Sequence, residues 1–172
     1  MFRHKVDPNL LISRVLTRFF QVASIICILA LPAHALDSED IEFYTLGYHK
    51  KTLDDYKGKP VILHFWATWC APCVEELPEV DKTQAAYSDK LTIITLSEDI
   101  KRSLVTDFYR DHNINHLTMF FDKRMKLLTK LGGRALPASL FYDKNHRLVK
   151  RIDRTVDWEL EETKALLDSL VR

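Results

Sequence analysis

Only three cysteines occur in 172 residues, at positions 27, 70 and 73. So few argue against a scaffold stapled by several disulfides. They argue equally against a zinc knuckle, because no second cysteine pair accompanies Cys70 and Cys73. An excess of one charge is missing too. The formal net charge is +1, and beyond residue 35 the chain carries 21 basic and 23 acidic side chains with no basic stripe. Nucleic acid is therefore not an expected partner. Long apolar runs are absent: the stretch Phe19 to Leu31 is 13 residues, short of the ~20 that span a bilayer. Repeats and low-complexity segments are lacking as well.

The N-terminus carries an export pattern. Arg3, Lys5, Arg14 and Arg18 precede that short apolar core, and Pro32-Ala33-His34-Ala35 closes it. Basic region, apolar core and small-x-small ending read as a secretory signal peptide over residues 1–35, cut after Ala35. The alternative is an uncleaved membrane anchor that recruits Gln21 and Val22. Cys27 lies within this core, without the preceding small residues of a lipoprotein site, and leaves with the signal. Residues 36–172 then form one domain of 137 residues, long enough for a core of its own.

Within that domain the apolar periodicity alternates between strands and helices. Ile41 to Leu46 reads as an edge strand, and residues 47–60 as a turn-rich stretch. Val61 to Trp66, apolar except for His64, reads as a central strand buried on both faces. A helix from Cys70 to about Tyr87 is interrupted or bent at Pro78. The strand Leu91 to Leu96 follows, then a helix from about Lys101 to His112 with Leu104, Val105 and Phe108 at helical spacing. Leu117 to Phe121 is a strand, and Met125 to Leu131 a helix closed by Gly132-Gly133. Leu140 to Tyr142 and Leu148 to Ile152 make a hairpin. Asp157 caps a last amphipathic helix, Trp158 to Val171, with Leu160, Leu166, Leu167 and Leu170 on its apolar side. The fold class is α/β, a central mixed sheet flanked by helices.

Cys70 and Cys73 stand where a strand gives way to a helix, the layout of a dithiol redox centre. Cys70 sits on the helix N-terminus, where unpaired N–H groups and the positive dipole end favour thiolate. It is the expected nucleophile, and Cys73, one turn inward, the resolving thiol. An inert structural bridge is the alternative. Pro72 offers neither a donor nor a positive charge to the Cys70 thiolate. A pair so placed lies nearer the roughly −270 mV of a reductant than the roughly −120 mV of a strong oxidant, a gap of about 7 kcal/mol for two electrons. Glu76 follows Cys73 by three residues and shares its stripe of the helix, where a partly desolvated carboxylate could exchange a proton with Cys73. Glu75 points elsewhere, into solvent.

The run Phe65-Trp66-Ala67-Thr68-Trp69-Cys70-Ala71-Pro72-Cys73 does not stand alone. With it go Lys57-Gly58-Lys59-Pro60, Glu76-Leu77-Pro78 and Leu136-Pro137-Ala138-Ser139. In these motifs the chain resembles the thioredoxin superfamily from about Ile41 to Val171. More narrowly it is similar to the TlpA/ResA/CcmG group of exported thiol–disulfide oxidoreductases. The resemblance implies a thioredoxin-like fold and a Cys70–Cys73 disulfide in the oxidised state. It implies a cis Pro137 beside the dithiol, with Leu136 offering its backbone to an extended substrate. Trp69 would shield the dithiol and Trp66 pack below it, and Glu76 would line the active-site cavity.

The resemblance also implies a periplasmic enzyme with no cofactor. Its clients would be proteins with disulfides, such as apocytochrome c or copper-site cysteines of oxidase assembly, and a membrane electron donor of the DsbD/CcdA kind would recharge it. Two rivals remain open, a disulfide oxidase or isomerase on the same fold and a Sco-like copper carrier, though the latter uses a wider cysteine spacing and a dedicated histidine. His64 departs from the pattern, since thioredoxin has a buried aspartate six residues before its first cysteine. It is either a satisfied core histidine or a proton relay. Asn145-His146 stand in the hairpin turn where glycine is usual, and Arg154-Thr155 where relatives often have glycine.

Overall fold

The computed structural model describes residues 37–122 and 124–172; the signal-peptide reading of 1–35 lies outside them. Seven strands form one sheet: β1 (Glu42–Thr45), β2 (Lys50–Thr52), β3 (Val61–Trp66), β4 (Thr92–Ser97), β5 (Thr118–Phe121), β6 (Ala138–Tyr142) and β7 (Leu148–Ile152). Their order across the sheet is β2-β1-β5-β4-β3-β6-β7. The central β3, β4 and β5 run parallel, and β1, β2, β6 and β7 are antiparallel to their neighbours. Four helices join them: α1 (Ala71–Tyr87), α2 (Arg102–Asp111), α3 (Lys126–Lys130) and α4 (Glu161–Leu170).

All six residues of β3 are buried, as its apolar run requires of a strand covered on both faces. Alternation divides them. Ile62 and Trp66 join a cluster with Leu77 and Val80 of α1, Val105, Phe108 and Tyr109 of α2, and Leu167 and Leu170 of α4. Val61, Leu63 and Phe65 join Phe43, Leu53, Phe120, Leu127 and Leu128 on the other face. His64, two residues from both Ile62 and Trp66, therefore faces α1.

The structure corrects several boundaries. Residues 47–60 are not turns alone, for they hold β2 and a 3-10 turn, Leu53–Tyr56. That turn is tied by reciprocal hydrogen bonds between Thr52 and Asp55. Pro78 does not interrupt α1, which continues to Tyr87. Leu104 is exposed, so the buried stripe of α2 is Val105, Phe108 and Tyr109.

The last helix begins at Glu161, not Trp158. Asp157 does not cap it. Its Oδ1 accepts the N–H groups of Glu159 and Leu160 within a separate turn. Leu160 then adopts an extended ψ of 135° and stays half exposed. The hairpin manages without glycine because Asp143 Oδ1 accepts from the N–H of Asn145 and Arg147 while His146 takes φ 57°.

Candidate active site

Cys70 is the N-cap of α1, and Cys73 lies in its first turn. Their sulfurs are joined, the pair spans 5.2 Å between Cα atoms, and the structure is that of the oxidised state. Cys73 is fully buried and Cys70 8% exposed. Attack from outside is therefore open to Cys70 alone. In the reduced protein, a thiolate on Cys70 would face the Cys73 N–H, the donor left in the first turn where Pro72 supplies none.

Two contacts hold the loop that presents Cys70. The N–H and hydroxyl of Thr68 donate to the Asp99 carboxylate at 2.9 and 2.6 Å. Ser97, at the end of β4, donates to the same carboxylate at 2.9 Å. Sequence reading gave no hint of this clamp, since 31 residues separate Thr68 from Asp99. Trp69 projects into solvent at 64% exposure, an apolar face beside the dithiol more than a lid on it. Trp66 is fully buried against Phe108 and Tyr109. The Leu136–Pro137 peptide bond is cis, directly before β6. Because β6 pairs with β3, the segment before it lies at the end of the sheet from which the dithiol loop springs. Leu136 is half-buried against both cores.

Glu76 is 3% exposed. Its Oε1 accepts two hydrogen bonds, from Trp158 Nε1–H at 2.6 Å and from Val156 N–H at 3.2 Å. Burial outweighs these donors and pushes its pKa up to about 7, with the Glu79 charge adding to the rise. A carboxyl balanced near neutrality, one turn beyond Cys73, can take up and return a proton at working pH. Trp158, expected as the first residue of the last helix, lies outside it. It is instead buried in the loop ahead of α4, its ring 6.0 Å from His64 and its N–H on Glu76. Only the side-chain chemistry, an indole N–H needing an acceptor when buried, could have signalled this.

His64 is completely buried, its Nδ1 2.9 Å from Ser139 Oγ and its Nε2 without a partner among the described residues. Burial draws its pKa down to about 4, so the ring is neutral at working pH. Two buried hydrogen-bonded pairs, Ser139–His64 and Trp158–Glu76, thus meet where the His64 and Trp158 rings pack edge to face. Among the described residues, no group of three or more His, Cys, Asp or Glu is arranged to hold a metal.

The sequence matches the AhpC/TSA family over residues 34–151, more than half of its length. The chain belongs to that family. The thioredoxin-like protein YneN of Bacillus subtilis is 47% identical over 58 residues, 34% of each chain. The thiol-disulfide oxidoreductase ResA of Bacillus thuringiensis is 35% identical over 104 residues, 60% of each. The chain thus spans less than two thirds of either relative. The exposed lipoprotein thioredoxin of Streptococcus pneumoniae superposes with a TM-score of 0.60 at 29% identity, over 75% of this chain and 96% of that one. The fold is thioredoxin-like.

Proposed function

We propose that this family member is an exported thiol–disulfide oxidoreductase that reduces client disulfides in the periplasm. The Cys70 thiolate attacks one sulfur of the client disulfide, forms a mixed disulfide and releases the other client sulfur as a thiolate. Cys73, its proton passed to Glu76, then attacks Cys70 Sγ and expels the second client thiolate. The client gains two electrons and the Cys70–Cys73 pair loses them. A membrane dithiol donor restores the reduced pair by the same two exchanges in reverse.

The observation that carries this reading is the asymmetry of the bridged pair. Cys70 sits at a helix N-terminus within reach of solvent, and Cys73 is sealed behind it. That is the division of labour between an attacking and a resolving sulfur. The cis Leu136–Pro137 segment and exposed Trp69 give a client backbone somewhere to lie. The export pattern of residues 1–35 supports a place outside the cytoplasm, as does the surface location printed in the name of the pneumococcal relative.

The direction of electron flow rests on Pro72, which leaves the thiolate without a side-chain cation. Equilibration with a glutathione or thioredoxin couple should give a potential nearer −270 than −120 mV, to the order of tens of mV. A value near −120 mV would turn the protein into an oxidant. Cys73→Ala should accumulate a Cys70-linked mixed disulfide with clients, visible on non-reducing gels.

A further inference from the structure

The exchange chemistry makes no use of a cavity that lies where the parallel strands β4 and β5 end. Its volume is about 360 Å³, within the range of small-molecule sites. Tyr48 and Phe121 line it, and the Arg102 guanidinium sits over both rings, 3.5 and 4.5 Å from their centroids. Arg102 Nη1 donates to the Thr45 and Leu46 carbonyls, which pins the group in place. Its Nε and Nη2 have no acceptor among the described residues. Arg124 lines the cavity too, and among the described residues no carboxylate pairs with either arginine.

Glu98, Asp99 and Asp122 supply the opposite charge. Two of them are engaged: Asp99 accepts from Thr68 and Ser97, and Asp122 accepts the Leu128 N–H. Glu98 is 6% exposed, and its Oε2 takes the Met125 N–H. Its Oε1, buried as well, has no donor among the described residues. Burial, with the Asp122 charge beside it, raises the Glu98 pKa to about 8, the mark of an oxygen that keeps a proton for want of a partner. Such an oxygen calls for an N–H group that solvent does not supply.

We propose that this cavity binds a small amino acid as its zwitterion, the ammonium on Glu98 Oε1 and the carboxylate on the open edge of the Arg102 guanidinium. Tyr44 and Ile100 complete the lining and would take an apolar side chain. The site stands apart from the thiol–disulfide reading and uses neither cysteine. Each pole argues against a simpler ligand. A lone cation would meet Arg102 and Arg124, and a lone anion would meet three carboxylates. An uncharged apolar molecule would seal Glu98 Oε1 away without a donor. A metal ion finds no group of three or more His, Cys, Asp or Glu arranged to hold it among the described residues. A ligand with both charges answers both walls, and a guanidinium fork suits a carboxylate.

The test titrates the oxidised full-length protein with three probes that share one ring: L-phenylalanine, 2-phenylethylamine, which lacks the carboxylate, and 3-phenylpropanoate, which lacks the ammonium. Amide chemical shifts read the binding. L-phenylalanine should shift Ile100 and Phe121 saturably and bind about ten-fold or more tighter than either analogue, the worth of one charge-assisted hydrogen bond. Arg102→Gln should weaken L-phenylalanine by about ten-fold while leaving 2-phenylethylamine no weaker. Glu98→Gln, which keeps an oxygen for the Met125 N–H, should weaken L-phenylalanine equally and leave 3-phenylpropanoate no weaker. The analogue that each variant still binds shows that its cavity has kept its shape. An analogue that binds as tightly as L-phenylalanine would overturn the proposal, because one pole would then have no partner. Absence of saturable shifts for all three probes, or shifts that spare Ile100 and Phe121, would overturn it equally, and neither result touches the chemistry of Cys70 and Cys73.

Discussion

Glu76 is where burial and hydrogen bonding pull hardest against each other. Its two N–H donors favour the carboxylate, burial favours the acid, and burial prevails, with the pKa near 7. Trp158→Phe removes the closer donor while keeping an aromatic ring. The Glu76 pKa should then climb further, and the alkaline-going limb of the exchange-rate profile that reports it should move up by up to about one unit. Measuring the resolution step against pH by stopped flow checks this. An unmoved limb would mean that Glu76 does not exchange the Cys73 proton. His64 differs in kind: neutral at working pH and bonded to Ser139, it can pass a proton only by changing tautomer.

At the scale of elements, α1 is held against the sheet by more than apolar contact. Asp81, on its buried face, accepts the N–H groups of His116 and Leu117 at 2.7 and 3.1 Å, and lies 2.9 Å from His116 Nδ1. Gln84, three residues on, accepts from Ile93 N–H and donates to the Leu91 carbonyl. These contacts fix α1 to the starts of β4 and β5 while its other end carries the dithiol. Asp81→Ala would strand two N–H groups, at a cost of roughly 2–4 kcal/mol. The expected fall in Tm is on the order of ten degrees by calorimetry. The dithiol should stay reactive at low temperature, because Thr68 and Asp99 hold its loop independently.

At the scale of the molecule, buried titrating groups set the dependence of stability on pH. Glu76 and Glu98 have folded pKa values raised to about 7 and about 8. Burial leads in both, with the neighbouring Asp122 charge adding to it for Glu98. The unfolded chain releases these protons at lower pH than the folded one. Stability is therefore lost as pH rises from about 4.5 through 7 for Glu76 and through 8 for Glu98. His64, lowered to about 4, acts oppositely: the unfolded chain takes up a proton below about 6.5 that the folded chain refuses until 4. Asp54, Asp55 and Asp143, held below their ordinary range by hydrogen bonds, also lose stability as pH falls. Denaturant unfolding of the oxidised protein should show maximal stability near pH 4.5 and a decline from there to about pH 8, steepest just above pH 6.5 where His64 no longer opposes it. Glu76→Gln, which keeps an oxygen to accept from Trp158, should remove most of the decline up to pH 7 and leave the part that Glu98 carries.

The residues alone determined the dithiol, its strand-to-helix setting, the buried β3 and the helix stripe holding Cys73 and Glu76. Those signals are local: an apolar run, a three-residue spacing and a run of tryptophans around two cysteines are all visible along the chain. Only the tertiary structure decided that Trp158 leaves the last helix to bond Glu76, 82 residues away. The same holds for the Thr68–Asp99 clamp and for the cavity that brings Tyr48, Glu98, Arg102 and Phe121 together from separate elements. β2, with two lysines in three residues, has no apolar pattern and becomes a strand only because β1 offers an edge to pair with. Periodicity reports which side of an element is buried; the partner of a buried polar atom is set by chain that folding brings from elsewhere.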